Sequence, residues 1–473
     1  MGAAERRSVV TLGWTIDAAG HPNFWLRPGA RPGMQSNGDL VQISAPRLAA
    51  HTLIVGQSGS GKSLLLGRLV EELLLNTRAE CLILDPNGDF SRMNSAEADA
   101  LWERATYDQV GRRGKLPHEG HPDGFKVPWR SIRKRFLSQR EDSSSAERET
   151  LRFPLVDVPA EILAEGLSPR ARTELFLIHD ATRDFGKLME ADVPSLGRRR
   201  TLSECIELLK SLLSSQADAA DLVTADEVFR KGQLITKLSK SLSYVSQDAK
   251  AYYSAKLQEL IAKGELSSLI SAPQRDATLP TARLTVVDLP SVEYHDSRVR
   301  IVSALLTAEW DAARQRWFAA LGIDADQDKR VPLFIVLDEA HNLIPETPIG
   351  EGQLHIRHLF RTISAEGRKY GLFLILCSQR PDKLDRFVMS ECQNIAVMRL
   401  NSRRVIDQMA TEIGLEEDLR AKLSECLQFT PGKVVLLGAW VDGRLRTIYT
   451  GARRTLEGGR NLRDQYWAVN PFA

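Results

Sequence analysis

The sequence predicts an α/β fold with a mainly parallel central sheet, a large and mostly helical insertion, and a C-terminal β-hairpin. Short apolar runs such as Thr52–Val55 alternate with stretches of helix-forming residues such as Lys62–Asn76. This rhythm stops after residue 90 and resumes at residue 283. Residues 433–450 consist of two strand-like runs around Asp442-Gly443, a dipeptide typical of hairpin turns. Strands of a parallel sheet are buried on both faces, which explains the short, uninterrupted apolar runs.

The same observations set the expected boundaries of each segment. We expect a short N-terminal arm or hairpin in residues 1–50 and an α/β core formed by residues 51–90 and 283–455. Residues 91–282 form the predicted insertion, in which 104–140 are basic and irregular and 151–273 have the periodicity of amphipathic helices. Residues 456–473 are expected to form a C-terminal tail. Further strands of the core are expected at 81–84, 284–289, 333–339, 371–379 and 394–400.

Composition narrows the class of protein without indicating a partner. The 473 residues are 43% hydrophobic, as in ordinary globular proteins. Lys plus Arg (63) nearly balances Asp plus Glu (61), so any nucleic-acid site has to be a local patch. The five cysteines include no CxxC pair, which favours buried thiols in a reducing compartment. The sequence contains no apolar run of membrane-spanning length and no signal-peptide core, so we expect a cytoplasmic protein without a membrane partner.

A phosphate-binding loop follows the first core strand. Residues 56–63 read GQSGSGKS and match the P-loop pattern GxxxxGK[ST], with a strand before them and a helix after them. Glycines let successive backbone N–H groups surround phosphates, and the following helix adds the positive end of its dipole. Lys62 is expected to reach the β- and γ-phosphates, and Ser63 to bind Mg²⁺. The predicted nucleotide-binding residues are Gly56, Gln57, Ser58, Gly59, Ser60, Gly61, Lys62, Ser63 and Leu64.

An acidic pair ends the strand at 333–339. Asp338 and Glu339 directly follow an apolar run, which is the Walker B arrangement that a P-loop requires. We expect Asp338 to hold Mg²⁺ through water and Glu339 to polarise the attacking water. The two motifs together predict a RecA-like P-loop NTPase that uses ATP and Mg²⁺.

Residues 338–341 spell DEAH, which is also found in superfamily-2 helicases. Those helicases need a second RecA-like domain with its own arginine motif, and the residues that follow contain neither. An ABC ATPase is disfavoured because no LSGGQ-type signature occurs. The predicted C-terminal hairpin disfavours an AAA+ protein, in which a helical lid is expected.

Two further segments resemble the HerA branch of the HerA/FtsK superfamily of DNA-pumping ATPases. They are SAEGRKYGLFLILCSQRPDKLDRF at 364–387 and DPNGDF at 85–90. The resemblance covers residues 52–90 and 283–450. It departs from the family in two respects, because residues 1–50 are too few for the usual N-terminal β-barrel and because the 91–282 insertion is large.

The resemblance implies roles for several polar residues. It makes Gln379 the sensor of the γ-phosphate and makes Arg368 an arginine finger that reaches the nucleotide of a neighbouring subunit. Arg380 is implied to assist in the same region. Each also has an ordinary structural interpretation: Gln379 as the end of a strand, and Arg368 as a solvated residue at a helix end.

Two other pairs are implied to lie near a nucleotide. Asp85 and Asp89 correspond to an acidic pair of the family, although Asp89 is shorter than the usual Glu and its role stays open. Asp85 stands in Asp-Pro-Asn-Gly and is equally a turn former. Arg453 and Arg454 are implied to approach an adjacent nucleotide.

The start of the insertion offers a candidate nucleic-acid surface. Basic residues are interleaved there with Trp129 and Phe136, a combination that suits a nucleic-acid backbone but also an ordinary solvated surface. The basic residues are Arg112, Arg113, Lys115, Lys126, Arg130, Arg133, Lys134 and Arg135.

The expected function is that of a homohexameric, ATP-driven DNA translocase or helicase. The resemblance implies sequence-independent binding of double-stranded DNA and a nuclease or other effector partner, in DNA end processing or antiphage defence. The alternative is an ATPase ring that assembles and regulates an effector without pumping DNA. A conjugation or secretion motor is a third interpretation, which the absence of a predicted membrane anchor disfavours.

Overall fold

The computed structural model describes most of the chain. The described residues are 9–16, 40–94, 126–140, 148–190, 242–269, 282–322, 330–451 and 453–456, with position 328 and a few positions between 206 and 240. The strands, numbered in chain order, are β1 Val9–Thr15, β2 Leu40–Ser44, β3 Thr52–Val55, β4 Glu80–Asp85, β5 Lys134–Ser138, β6 Arg148–Thr150, β7 Phe153–Pro154, β8 Leu266–Ser268, β9 Leu284–Asp288, β10 Leu333–Leu337, β11 Leu372–Ser378, β12 Asn394–Val397, β13 Lys433–Gly438 and β14 Arg446–Thr450.

One large sheet organises the described residues. Twelve strands lie in the order β2-β1-β14-β13-β12-β3-β11-β10-β4-β9-β5-β6. The strands from β12 to β6 run parallel to one another. At the other side, β13, β14, β1 and β2 continue the sheet in antiparallel pairs. The predicted mainly parallel sheet and C-terminal hairpin are therefore confirmed.

Helices cover both faces of the sheet. They are α1 Lys62–Asn76, α2 Lys126–Ser131, α3 Ala160–Leu163, α4 Pro169–Glu190, α5 Gln247–Ala262, α6 His295–Ala320, α7 Gly350–Tyr370, α8 Arg386–Ser390, α9 Arg403–Glu412 and α10 Glu417–Leu423. Successive strand residues point to opposite faces, so Ile54 belongs to the same apolar cluster as the leucines of α1, while Leu53 and Val55 belong to the cluster that contains residues of α6 and α7. No helix in the described ranges has both the length and the apolar character needed to cross a bilayer.

The N-terminal strands are fixed to the helix that follows the P-loop. The backbone N–H of Thr11 in β1 donates to Glu72 Oε2 at 2.9 Å, and Arg68 forms an ion pair with Glu72. Both charged side chains are at most 1% exposed. Burial raises the pKa of Glu72, and the charge of Arg68 opposes that shift. A buried carboxylate needs such partners, so α1 and β1 are held together by this contact.

The structure differs from the sequence-based expectation in the basic segment. Residues 134–138 were expected to be irregular, but they form β5, which pairs with β9 and with β6 and extends the parallel sheet. Phe136 and Leu137 are buried there, and Lys134 is only 6% exposed. The ammonium of Lys134 donates to the carbonyls of Trp129 and Ile132 at 2.8 Å each. The many basic residues made this segment resemble a surface loop, although it is a strand whose lysine donates its hydrogen bonds to backbone carbonyls in the interior.

The connection between β13 and β14 depends on residues with positive φ. Asp442 (φ 56°) and Gly443 (φ 71°) both adopt the left-handed region at the predicted turn. Gly438, at the end of β13, has φ 101°, and a Cβ added there would lie 1.8 Å from the carbonyl oxygen of Gln393. A Cβ added to Gly443 would meet no atom within 4 Å.

This difference predicts unequal effects of two alanine substitutions. Gly438→Ala should lower the free energy of unfolding by at least about 3 kcal/mol, because it adds a backbone clash to an unfavourable φ. Gly443→Ala should cost only about 1 kcal/mol, since the φ penalty acts alone. Denaturant unfolding of both variants measures the difference, and equal losses would show that the clash at Gly438 relaxes.

Candidate nucleotide-binding site

The predicted P-loop has the geometry that phosphate binding requires. It begins directly after β3, and α1 starts at Lys62. Gly59 (φ 72°) and Gly61 (φ 102°) adopt conformations that residues with a Cβ rarely take. The Lys62 side chain is buried along the loop, and its Nζ donates to the carbonyl of Gln57 at 3.1 Å. The loop therefore combines the free N–H groups at the start of α1 with the positive charge of Lys62, and both favour a bound phosphate.

Neighbouring strands hold the loop from three sides. Gly56 N donates to the carbonyl of Ser378 at 3.3 Å, and Gln57 N to that of Arg399 at 2.8 Å. Gly432 N, just before β13, donates to the carbonyl of Ser60 at 2.9 Å. The loop conformation is thus fixed by β11, β12 and the C-terminal hairpin, which reduces the ordering that a ligand would have to induce. Ser58 and Gly59 remain exposed at the tip.

Side chains whose oxygens could bind a metal ion lie next to the loop, at the ends of β4 and β10. Asp338 is 1% exposed, and its Oδ1 accepts the backbone N–H of Glu339 at 2.9 Å. Burial, reinforced by the charges of Glu339 and Asp89, raises the pKa of Asp338 to about 6. The Ser63 hydroxyl donates to Asp89 Oδ2 at 3.0 Å. Hydroxyl and carboxylate oxygens are suitable ligands for Mg²⁺, which also takes phosphate oxygens and water, so Ser63 and Asp338 fit that ion.

Asp85 organises the loop that carries Asp89. Its Oδ1 accepts the N–H groups of Asn87, Gly88 and Asp89, and its Oδ2 accepts that of Phe90, at 2.8 to 3.2 Å. The side chain is fully buried, and this burial raises the pKa of Asp85 to about 7. Asp85 is therefore the turn former that the sequence indicated, and it places Asp89 on Ser63.

Glu339 is held in place by groups from the end of β11. Its backbone adopts φ 45°, which is uncommon for a residue with a Cβ. The Gln379 side-chain amide donates to Glu339 Oε1, and Gln379 N lies 3.4 Å from Oε2. The His341 Nδ1 lies 3.5 Å from the same Oε2 and 3.1 Å from the Ser378 hydroxyl. Burial lowers the pKa of His341, and the charge of Glu339 opposes that shift.

The sheet brings Gln379 to the P-loop but leaves Arg368 far from it. Ser378 pairs with Val55, so Gln379 follows the same sheet edge as Gly56. Arg368 precedes β11 at the opposite edge and is exposed near the end of α7. The seven residues of β11 separate the two positions, which at about 3.3 Å per residue is roughly 20 Å. Arg368 therefore cannot reach the P-loop of its own chain.

The other arginines implied by the resemblance lie in different surroundings. Arg380 is exposed beside the site, and its charge contributes to the lowered pKa of His341. Arg453 and Arg454 are 3% and 5% exposed. Arg453 packs over the ring of Phe90 at 4.8 Å, and Arg454 N donates to Glu71 of α1 at 3.0 Å. Arg453 and Arg454 are thus buried against α1 of their own chain, and their approach to an adjacent nucleotide stays a prediction.

The candidate nucleic-acid surface is only partly described. Arg112, Arg113 and Lys115 lie outside the described residues, and Lys126 begins α2. Arg130 and Arg133 are exposed, whereas Lys134 is buried and Arg135 pairs with Glu149 at 2.7 Å. The expectation of a DNA-facing basic stretch is therefore wrong for Lys134, whose charge is used inside the protein.

Sequence reasoning missed two residues of the site. His341 was considered only as the last letter of DEAH, and Ser378 only as part of a strand. The available signal was their position relative to the strands. Ser378 ends β11 and His341 lies in the turn just after β10, and a parallel sheet brings these two ends together. No local motif marks a contact between such distant segments.

Comparison with known proteins gives one family and several partial relatives. Residues 34–309, more than half of the chain, match the family model described as the central domain of helicase HerA. A probable helicase of Methanocaldococcus jannaschii is 31% identical over 32% of this chain and 27% of its own length. The DNA double-strand break repair helicase HerA of Sulfurisphaera tokodaii is 28% identical over 23% of this chain and 21% of its own. The alignments thus span about a quarter of these curated relatives. The resemblance drawn from 85–90 and 364–387 is confirmed.

Solved structures with similar folds cover nearly the whole chain at low identity. VirB4 of Thermoanaerobacter pseudethanolicus is 15% identical, with 96% of this chain and 98% of that chain covered and a TM-score of 0.40. Plasmid coupling protein TrwB in complex with ADP and Mg²⁺ is 14% identical, with 97% and 99% covered and a TM-score of 0.43.

The geometry around Glu339 predicts that turnover and nucleotide binding can be separated. Glu339→Gln should bind ATP at close to the parental affinity and lose roughly 10²- to 10⁴-fold in hydrolysis, because the amide cannot accept a proton. Glu417→Gln, at the exposed start of α10, is the matched control and should hydrolyse normally. Phosphate release and nucleotide titration measure the two effects. Parental turnover in Glu339→Gln would remove Glu339 as the base.

Proposed function

The chain belongs to the HerA helicase family, and on this premise we propose that it is an ATP-hydrolysing motor that moves along DNA. The observation that carries the proposal is the assembly of Lys62, Ser63, Asp338, Glu339 and Gln379 at one edge of the sheet. These residues supply the phosphate cradle, the oxygen ligands, the base and the polar sensor of phosphoryl transfer.

The roles follow from the positions of the side chains. Lys62 and the N–H groups of the P-loop bind the phosphates of ATP, and Gln379 detects the γ-phosphate. Ser63 and Asp338 would hold Mg²⁺, which when bound would neutralise phosphate charge. Asp89, bonded to Ser63, orients that hydroxyl. Glu339 takes the proton of the water that attacks the γ-phosphorus, and the bond to the β-phosphate oxygen breaks to leave ADP and phosphate.

The position of Arg368 supports a ring of identical subunits. Phosphoryl transfer on a P-loop commonly uses an arginine that stabilises the charge of the transition state. Arg368 is exposed at the sheet edge remote from its own P-loop, so it is suited to a site on another subunit. We propose a homohexamer in which each Arg368 completes the site of its neighbour. Head-to-tail contacts of this kind close into rings.

We propose that the motor moves along double-stranded DNA of any sequence. The support is the family, whose curated relatives include the repair helicase HerA of Sulfurisphaera tokodaii. A motor that follows a varied track must contact phosphates rather than base edges. A nuclease or other effector, in DNA end processing or antiphage defence, is the proposed partner. The buried thiols of Cys81, Cys377, Cys392 and Cys426 suit a reducing compartment, which we propose to be the cytoplasm.

The trans role of Arg368 predicts rescue between two inactive variants. Lys62→Ala should abolish hydrolysis and weaken nucleotide binding, and Arg368→Ala should lose on the order of 10³-fold in turnover. Mixed rings should recover activity where an intact P-loop meets an intact Arg368. Arg316→Ala, an exposed arginine on α6, is the control and should remain active alone. Verified mixed rings without any recovery would contradict the trans assignment.

The DNA proposal predicts stimulation that depends on salt but not on sequence. ATP hydrolysis should rise with duplexes of unrelated sequence, and the stimulation should fade as salt increases while the ring stays assembled. Each phosphate contact releases counterions on binding, so affinity falls steeply with salt. Steady-state hydrolysis measures the stimulation, gel shift measures the DNA binding, and sedimentation measures whether the ring stays assembled. Assembled rings that neither bind DNA nor respond to it at low salt would favour the scaffold that regulates an effector.

A further inference from the structure

The ends of β10 and β11 are joined by two side-chain bridges. In the first bridge, Gln379 donates its amide to Glu339 Oε1. In the second, the Nδ1 of His341 lies 3.1 Å from the Ser378 hydroxyl and 3.5 Å from Glu339 Oε2. The side chains of His341 and Glu339 are 14% and 7% exposed, so water has little access to these bonds. Gln379 N also lies 3.4 Å from Oε2, so Gln379 contacts both carboxylate oxygens, whereas His341 contacts Oε2 alone.

The partners of His341 determine which ring nitrogen carries the proton. An ionised Glu339 can only accept hydrogen bonds. The Ser378 hydroxyl already accepts the backbone N–H of Arg380 at 3.1 Å and can accept once more. A protonated Nδ1 can donate to the Ser378 hydroxyl and turns positive charge towards Glu339 Oε2, whereas an unprotonated Nδ1 would face the lone pairs of the carboxylate. The contacts thus assign the proton to Nδ1.

The backbone of Glu339 needs such support. Its φ of 45° and ψ of 48° place it in the left-handed region, where residues with a Cβ remain only if their surroundings hold them. The short 3-10 turn Ala340–Asn342 follows directly and turns His341 back towards the Glu339 side chain. The imidazole therefore connects a strained base to the neighbouring strand.

We propose that His341 is a positioning residue that holds Glu339 Oε2 through Nδ1 and leaves Oε1 to the attacking water. The inference rests on the proposed ATP hydrolysis. When the Gln379 side-chain amide turns from Glu339 to a γ-phosphate, Oε1 loses this donor and becomes available to the attacking water. The contact of His341 with Oε2 keeps the carboxylate aimed at the phosphate while that exchange occurs. His341 therefore acts through Glu339 and not on the nucleotide itself.

The three substitutions that test this role differ in where they place a donor. The amide nitrogen of Asn lies close to the position of Nδ1, whereas that of Gln corresponds to Nε2. His341→Ala and His341→Gln should reduce kcat about tenfold or more, as loss of a hydrogen bond to a charged group does. His341→Asn should recover most of the rate. Affinity for ATP and the melting temperature of the full chain should stay at the parental values.

Several outcomes would overturn the inference. It fails if His341→Ala hydrolyses ATP at the parental rate, if Asn rescues no better than Gln, or if ATP affinity falls in parallel with kcat. As a further check, His341→Ala added to Glu339→Gln should cause no additional loss, because the two residues act through one carboxylate. If the unchanged protein does not hydrolyse ATP, the proposed function itself fails. Normal parental hydrolysis with an inactive Glu339→Gln and a fully active His341→Ala rejects the role of His341 alone.

Discussion

Parallel pairing between β3, β11, β10 and β4 is the constraint on which the candidate site depends. In a parallel sheet all strands end at the same edge, so residues distant in sequence are placed side by side there. Val55 pairs with Ser378, and Leu337 pairs with both Leu376 and Leu84. A register shift of one residue would turn each following side chain to the other face. The base, the sensor and the phosphate loop therefore share one fixed register.

Burial of carboxylates at that edge shapes the surrounding loops. Asp85, Asp338 and Glu339 are all buried, and an unsatisfied buried carboxylate is costly. Asp85 is satisfied by the backbone that wraps around it, and Asp338 by the N–H of its neighbour. Glu339 is satisfied by side chains of the adjacent strand. The need of these buried carboxylates for hydrogen-bond donors thus shapes both the loops and the candidate site.

Much of this arrangement could be predicted from local sequence. The P-loop and the acidic strand end are compact motifs, and Asp442-Gly443 marked its turn correctly because positive φ has few solutions. The strand at 134–138 was missed because Lys134 looks like a surface residue until its carbonyl partners are known. The burial of Arg453 depends on Gly67 and Phe90, which are distant in sequence. Contacts of that range leave no signal in a single sequence.

The face of α1 that carries Glu71 and Glu72 contacts both the first and the last described segments of the chain. Glu72 accepts the N–H of Thr11, and Glu71 accepts the N–H groups of Arg454 and Thr455 together with the Thr455 hydroxyl. An apolar residue at either glutamate would leave those donors without an acceptor in the interior. Evolution can therefore alter this face of the helix only through coordinated changes. Among related sequences, position 71 should covary with position 455, and position 72 with position 68, although no catalytic demand acts on them.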